Sequence, residues 1–433
     1  MAAYGEIEAA TLSKALGRRS LMRAAAAVAA TASVGSAVGV GTAGAAGASA
    51  GAETRGPAGP AFPVLQPGVG RTTGTYLRST PKTVSWGLLP NAASRAVAVV
   101  ASGGVLTLDS VSHEGILEDQ GKDPVGYFAG KGVPRRRVLD DAVDIAAHKA
   151  HDGPGPHVVT GPVAVRGAAP GDVLRIEVLD LRLRVPYGVV SSRHGLGALP
   201  GEYPEKFSRD TRQAPFFNQG GNISVFTSVG SCRGQYTGVL PGSVPVEFPL
   251  APFMGLMGVA RNTKAMVDSV PPTDAGGNLD INALQVGSTL YLPVQVAGAM
   301  FFAGDPHMAQ GDGEVALTAM EGSLRATFRL TVVKRGGRAP SVAFDYPFAE
   351  TATSWVPIGL SDPDGPVGGE QKSLDIAMKT AVRHALAFLT TDLGMEGPVA
   401  YAYLSAAADF VVSQVVDRTT GIHGLIRKAD FGQ

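Results

Sequence analysis

Val158-Val159-Thr160-Gly161-Pro162-Val163-Ala164-Val165 runs into Gly167-Ala168-Ala169-Pro170-Gly171-Asp172, and the chain then resumes over Val173–Leu183. The first run is rich in β-branched residues, and the Gly/Pro/Asp block is a strong turn. In the second run Leu174, Ile176 and Val178 alternate with Val173, Arg175 and Glu177. That period of two is a strand with one face buried. Similar short runs occur at Thr83–Trp86, Val97–Val100, Val105–Leu108, Ile223–Val229, Val244–Phe248, Thr289–Val296, Val315–Met320 and Leu324–Val333. Many short strands at such spacing predict a sandwich or barrel. The 57 glycines and 30 prolines of the chain agree with a turn-dense β protein.

Around this β-rich body, taken as 75–335, other segments differ in character. Residues 115–157 read as a polar insertion broken by Gly and Pro. Beyond 336 the pattern turns helical. Ser373 can cap a helix on which Leu374, Ala377, Ala381, Ala385, Phe388 and Leu389 share a face, and a second helix is expected from about Pro398 to Val416. The expected fold is therefore mainly β with a C-terminal α+β part: a β-sandwich body plus a smaller α/β module at 336–433.

Residues 1–50 read as a twin-arginine signal peptide. Arg18-Arg19-Ser20-Leu21-Met22-Arg23 precedes a stretch from Ala24 to Ala52 without charge, and Ala48-Ser49-Ala50 is a small-x-small cleavage pattern. A retained membrane anchor is the competing reading, weakened by the Gly-rich, leucine-free composition. The protein is thus expected to be secreted or extracytoplasmic, meeting a membrane only during export. Residues 51–74 are expected to be a flexible lead-in. Lys plus Arg equals Asp plus Glu at 37 each across 433 residues, so no basic field exists to attract nucleic acid. The single Cys232 excludes an intrachain disulfide and any CxxC metal site, and it is expected to be a buried, inert thiol.

The densest chemistry lies in Gly304-Asp305-Pro306-His307-Met308-Ala309-Gln310-Gly311-Asp312-Gly313-Glu314-Val315, which places three acids and an imidazole together. It reads either as a site or as a glycine-rich hairpin loop with solvated charges. Gly276-Gly277-Asn278-Leu279-Asp280 is a second candidate, offering an amide and a carboxylate. Its competing reading is an ordinary Gly-Gly turn. Asp109-Ser110-Val111-Ser112-His113-Glu114 is a metal ligand set or a salt-linked strand end, and His157 is a ligand or a packed residue. His148, His151 and His384 are expected to be structural or solvated. No H-E-x-x-H, G-x-S-x-G or Walker pattern occurs.

Taken together, these blocks resemble the acetamidase/formamidase family. The matching pieces are Gly161–Leu174, Pro252-Phe253-Met254-Gly255-Leu256-Met257-Gly258-Val259, Gly276–Asp280, Gly304–His307 with Gln310–Val315, and Asp409–Asp417. The resemblance implies hydrolysis of the carbon–nitrogen bond in small linear amides, a β-sandwich body with an α/β module, and a homo-oligomer. Two features depart from it: Leu279 stands where some members carry Cys, and the 113–157 insertion is longer than in compact members.

Amide hydrolysis needs an activated nucleophile, a stabilised oxyanion and a proton for the leaving ammonia. No serine motif supplies the nucleophile, so a water activated by a divalent metal, zinc first, is expected. The expected ligands are His307, Asp280 and Asp312, with His113 or His157 added. Glu314 is expected to carry the proton, and Asn278, beside Gly277, to hold the substrate. A metal-free variant has Glu314 and His307 acting on water directly. An exported small-ligand or carbohydrate-binding β-sandwich without catalysis is the alternative from another class.

Overall fold

In the computed structural model, residues 62–207, 211–361 and 373–432 are described, so the leader at 1–50 lies outside the described residues. The chain is mainly β, and two large sheets carry it.

The first sheet has nine strands in the order Thr75–Leu77, Gly104–Asp109, Leu324–Val333, Val173–Leu183, Thr289–Pro293, Phe348–Glu350, Ser354–Leu360, Gly421–Arg427 and Asp409–Gln414. The alternation in Val173–Leu183 sets its register. Leu174, Ile176 and Val178 are buried, opposite Val332, Leu330 and Phe328 on one side, and Leu292 and Leu290 face Leu174 and Ile176 on the other. Apolar side chains of three strands thus line one face, as period-two sequences require.

The second sheet runs from Val246–Pro249 through Gln235–Leu240, Ile223–Cys232, Tyr187–Ser192, Met320–Glu321, Phe301–Ala309 and Phe253–Gly258 to Gly276–Asn278. Val158–Val165 also pairs with Phe301–Ala309 and brings in Val84–Trp86 and Ala98–Val100. The two sheets share one core: Phe301 meets Phe328 edge-on with ring centroids 5.4 Å apart. Aromatic pairs in this arrangement stabilise by roughly 0.5–1.5 kcal/mol beyond the area they bury.

Several expectations change on folding. The C-terminal α+β part is built directly onto the body, because Thr289–Pro293 pairs with Val173–Leu183 on one edge and Phe348–Glu350 on the other. The sheet is therefore continuous across 336. The helix Leu374–Thr391 forms as its pattern predicts. Ser373 Oγ accepts from Ile376 N–H, and the Ala377, Ala381 and Ala385 face lies on Ser354–Leu360. Gly359 permits that approach, since a Cβ there would meet the backbone of Ala377 and Ala381. The second helix stops at Ala407, and Asp409–Gln414 is a strand whose edge is satisfied by Gly421–Arg427.

The 115–157 insertion is folded rather than polar throughout, with helices Pro124–Ala129 and Asp140–His148 burying Phe128 and Ile145. Residues 62–74 lie against the body. Leu65 N–H donates to Arg184 C=O at 2.9 Å, and Gln66 bonds both Val138 C=O and Asp140 N–H, each at 2.9 Å. Cys232 is exposed, because it ends a strand at the Arg233-Gly234 turn. No helix among the described residues is long and apolar enough to cross a membrane.

Candidate active site

Phe301–Ala309, expected in part to be a loop, is a strand through His307, and its two polar side chains Asp305 and His307 stand two residues apart. Alternation puts residues i and i+2 of a strand on one face. The neighbouring strand offers Gly255 opposite them. A Cβ on Gly255 would sit 2.5 Å from Asp280 Oδ1, 2.7 Å from Asp305 Oδ2 and 2.7 Å from His307 Cε1. The absent side chain is the space in which these groups meet.

The other members arrive from separate elements. Asp109 ends its strand fully buried, bonded by Arg325 Nε at 2.6 Å and Nη2 at 3.1 Å, so it is the salt-linked strand end and not a ligand. Beyond it Ser112 N–H donates to Ser323 Oγ at 3.0 Å, and this turn delivers His113. His157 enters just before Val158–Val165. Asp280 follows Gly276–Asn278 with its backbone N–H on Gly255 C=O at 3.1 Å. Asp280, Asp305 and Glu314 all adopt φ near +50° (50°, 51° and 48°). A non-glycine residue rarely holds that conformation, and such strain clusters where side chains must be aimed. Glu321 comes from Met320–Glu321, directly opposite His307 in the ladder.

Two imidazoles are oriented by their Nδ1 atoms. His157 Nδ1–H donates to Ser269 C=O at 3.1 Å and lies 3.0 Å from Ser269 Oγ. His307 Nδ1 lies 3.0 Å from Gln310 Oε1, and Gln310 Nε2 donates to Asp280 C=O at 2.9 Å and Ser413 C=O at 3.1 Å. Carbonyls only accept, so the Gln310 amide is fixed and His307 carries its hydrogen on Nδ1. Each ring therefore turns Nε2 towards Asp305. His157 Nε2 is 3.7 Å from Asp305 Oδ1, and His113 Nδ1 is 3.6 Å from the same oxygen. His307 Nε2 is 2.9 Å from Asp305 Oδ2 and 3.0 Å from Glu321 Oε1, at angles outside hydrogen-bond geometry. Glu314 Oε1 lies 3.9 Å from the same nitrogen.

The electrostatics follow from burying five carboxylates, Asp280, Asp305, Glu314, Glu321 and Asp417, with few cations. Burial, then Asp417, pushes Glu314 well above its ordinary value; burial, then Glu314, does the same to Asp280. Burial and Asp305 push Glu321 to about 7, and burial raises Asp417 to about 7. Burial opposes ionisation of Asp305 too, but His307 and His157 outweigh it and hold Asp305 well below the carboxylate range. Burial would lower His307, yet Glu321 and Asp305 outweigh it and raise it well above its ordinary value. Burial takes His157 down to about 4, so that ring is neutral. Beside them burial is offset by Arg193, then His113, and Glu114 falls to about 2. Carboxyl groups crowded in this way hold protons in place of charge, and a bound cation would take the place of those protons.

The residues fit a divalent metal. His113 Nδ1, His113 Nε2, Asp305 Oδ1 and Glu321 Oε2 are buried without a hydrogen-bond partner. His157, neutral and with Nδ1 held by the Ser269 carbonyl, is in the usual state of a metal-ligating histidine. A four-coordinate zinc with bonds of about 2.1 Å separates its ligands by about 3.4 Å, close to the spacings above. His113, His157 and Asp305 form one candidate set and Asp305, His307 and Glu321 an adjoining one, each with ligand atoms within 4.8 Å.

Buried His113, His157, Asp305 and Glu321 form the floor of a cavity of about 530 Å³, whose lining also includes Leu117, Pro156, Val270, Leu317, Val416, Arg193 and Arg418. Glu314 and Asn278 also line it, and Asn278 Oδ1 has no hydrogen-bond partner. Expectation and structure part at two residues. Asp312 is exposed, accepting from Asn282 Nδ2 at 2.8 Å, because the flanking glycines carry it outward. Gly277 is buried beneath Leu89 and off the cavity wall. Asp280 is close to His307 Nδ1, at 3.9 Å, but lies under the floor. His148 is exposed and paired with Asp144 at 2.8 Å, and His384 donates to Ile358 C=O at 2.7 Å, so both are structural. His151 stacks on Trp86 at 4.7 Å and also lines the cavity.

Three members carried no expected role. Asp305 was legible as the residue two before His307 on a strand. Asp417 lies inside the last block of family resemblance. Glu321 had no signal, since only the sheet register sets it opposite His307.

Comparison with known proteins adds an independent line. The model of the "Acetamidase/Formamidase family" matches residues 138–269 and 262–425. A formamidase of Methylophilus methylotrophus is 27% identical over 305 residues, covering 60% of this chain and 73% of that protein. An acetamidase of Mycolicibacterium smegmatis is 27% identical over 200 residues, covering 37% of this chain and about half (49%) of that protein. The crystal structure of an acetamidase from Bacillus halodurans overlays with a TM-score of 0.60 at 22% identity, covering 82% of this chain and 98% of that one. An acetamidase from Yersinia enterocolitica gives 0.61 at 22% identity over 84% and 96%. These overlays establish the shared fold, and the family match over most of 138–425 establishes the lineage: the chain belongs to the acetamidase/formamidase family.

Proposed function

We propose that this protein hydrolyses small linear primary amides, forming a C–O bond from water, breaking the C–N bond, and releasing ammonia and a carboxylate. The observation that carries the reading is the convergence of His113, His157, Asp305, Glu314 and Glu321, from segments spread over 113–321, on one cavity. A divalent cation, zinc first, would be held by His113, His157 and Asp305, with Asp305, His307 and Glu321 as the adjoining set. When bound, such an ion supplies Lewis-acid polarisation of the carbonyl and lowers the pKa of water.

The chain's own residues do the rest. Glu314, at the cavity wall and on a backbone that aims it inward, takes the proton from water and returns it to the departing nitrogen. Asn278 Oδ1 accepts from the substrate NH₂ and so turns the carbonyl carbon towards the floor. Ser269 and Gln310 keep the two imidazoles in one tautomer. Export through Arg18-Arg19 and assembly as a homo-oligomer belong to the same proposal, the first resting on the leader sequence and the second on the family resemblance.

Ammonia release from acetamide by the purified protein tests the reading directly. Glu314→Gln is expected to lower kcat by at least about 100-fold, within the usual range for removing a general acid–base group. Retained turnover in a folded Glu314→Gln protein would remove Glu314 from this role.

A further inference from the structure

We infer that the preferred substrate is an uncharged primary amide with an apolar acyl group several carbons long, rather than formamide or acetamide. The inference rests on the amide-hydrolase reading and adds the substrate class.

Size comes first. Acetamide has four heavy atoms and fills roughly the space of three waters, about 90 Å³ at ~30 Å³ each. The cavity holds about 530 Å³. A substrate that leaves most of such a cavity to water gains little from its walls, and positioning suffers accordingly.

The walls say what fills the remainder. Above the polar floor stand Leu117, Pro154, Pro156, Val270, Leu317 and Val416. These side chains offer no hydrogen bond, so only an apolar group gains by meeting them. No Trp, Tyr or Phe lines the cavity among the described residues, which leaves out the stacking platform that a sugar-binding site would present.

Charge sets the third limit. Six carboxylates line the cavity against two guanidiniums, Arg193 and Arg418. Both guanidiniums are already held. Arg193 pairs with Glu114 and Asp119 at 3.1 Å each, and Arg418 pairs with Asp268. A substrate carboxylate would meet no uncommitted guanidinium there and would share the wall with the acids Glu118 and Asp119, so acyl chains ending in an acid are disfavoured.

The test measures kcat/KM by ammonia release from the full purified protein with formamide, acetamide, butyramide, hexanamide and adipamate, the last matching hexanamide in length but ending in a carboxylate. Each buried methylene is worth about fourfold at most. Hexanamide is expected to exceed acetamide by at least about tenfold, and adipamate to fall at least about tenfold below hexanamide. Highest kcat/KM on formamide or acetamide, with decline at butyramide, overturns this inference and leaves the hydrolase reading standing. Ammonia from none of the five overturns both. A variant gives a second check. Leu196 lies on the cavity wall and is 41% exposed, so enlarging it spares the core. Leu196→Trp is expected to lower the hexanamide-to-acetamide ratio about tenfold; an unchanged ratio also overturns the inference.

Discussion

Gly255→Ala tests the site through a single methyl group. The strand Phe253–Gly258 pairs with Phe301–Ala309, and Gly255 falls between the pairs Met254–Pro306 and Leu256–Gly304, facing Asp305. Its new Cβ would lie 2.5 Å from Asp280 Oδ1 and 2.7 Å from both Asp305 Oδ2 and His307 Cε1. Ordinary contact starts near 3.5 Å, so the three groups must retreat by a combined shift on the order of 1 Å. Asp305 and His307 sit on a paired strand and the Gln310 amide pins the His307 ring, so the retreat is not free. Overpacking of this kind costs about 1–3 kcal/mol, a fall in Tm of several degrees for a domain of this size. A misplacement of about 1 Å at reacting groups costs about 100-fold in rate. The expected result is therefore a folded protein, slightly less heat-stable, with kcat/KM for amide hydrolysis reduced about 100-fold. Circular dichroism melting and ammonia release measure the two quantities on the same sample. Gly397→Ala is the control, since nothing lies within 4 Å of its Cβ position. Activity of Gly255→Ala within threefold of the native chain would refute the claim that these three side chains meet in that space for catalysis.

Other outcomes rest on the same structure. Dialysis against a strong chelator is expected to remove about one divalent ion or more per chain together with activity, and readdition of zinc to restore it; full activity at undetectable metal content by elemental analysis would refute the cation. Asp305→Asn is expected to lower bound metal at least tenfold, because Asp305 stands between both candidate sets. His423 is buried beside Ser413, and burial, against Asp312, takes it down to about 4. Its neutral form is the one the fold favours, so its contribution is whole above the ordinary histidine value near 6.5 and is lost as pH falls from there to about 4. The loss is on the order of 3 kcal/mol, and denaturant midpoints should show a slope over that window that His423→Gln flattens. Replacing Arg18 and Arg19 by Lys is expected to retain the protein in the cytoplasm; fractionation showing unchanged export would refute the leader reading.

How far the sequence reaches depends on whether a residue's partner is local. Leu174, Ile176 and Val178 announce a strand by their own spacing, and Ser373 announces a helix together with the apolar period that begins at Leu374, because both signals are complete within a few residues. The continuity of the first sheet across 336 is not local. It depends on Thr289–Pro293 accepting Phe348–Glu350 on its free edge, a pairing that no spacing encodes. The same division runs through the site. His307 and Glu314 stood out because Gly, Asp, His and Glu crowd one short block, but crowding also nominated Asp312, which the chain turns into solvent. The decisive information is the orientation of each carboxylate, and it is set by non-local constraints. Glu321 reaches His307 only through the ladder between Met320–Glu321 and Phe301–Ala309. Asp280 arrives because Gly255 C=O accepts its backbone N–H. His157 presents Nε2 because Ser269, far along the chain, occupies Nδ1. A residue type can thus be read as chemically competent from sequence. Its part in a site is decided by whichever group, often distant along the chain, fixes its orientation.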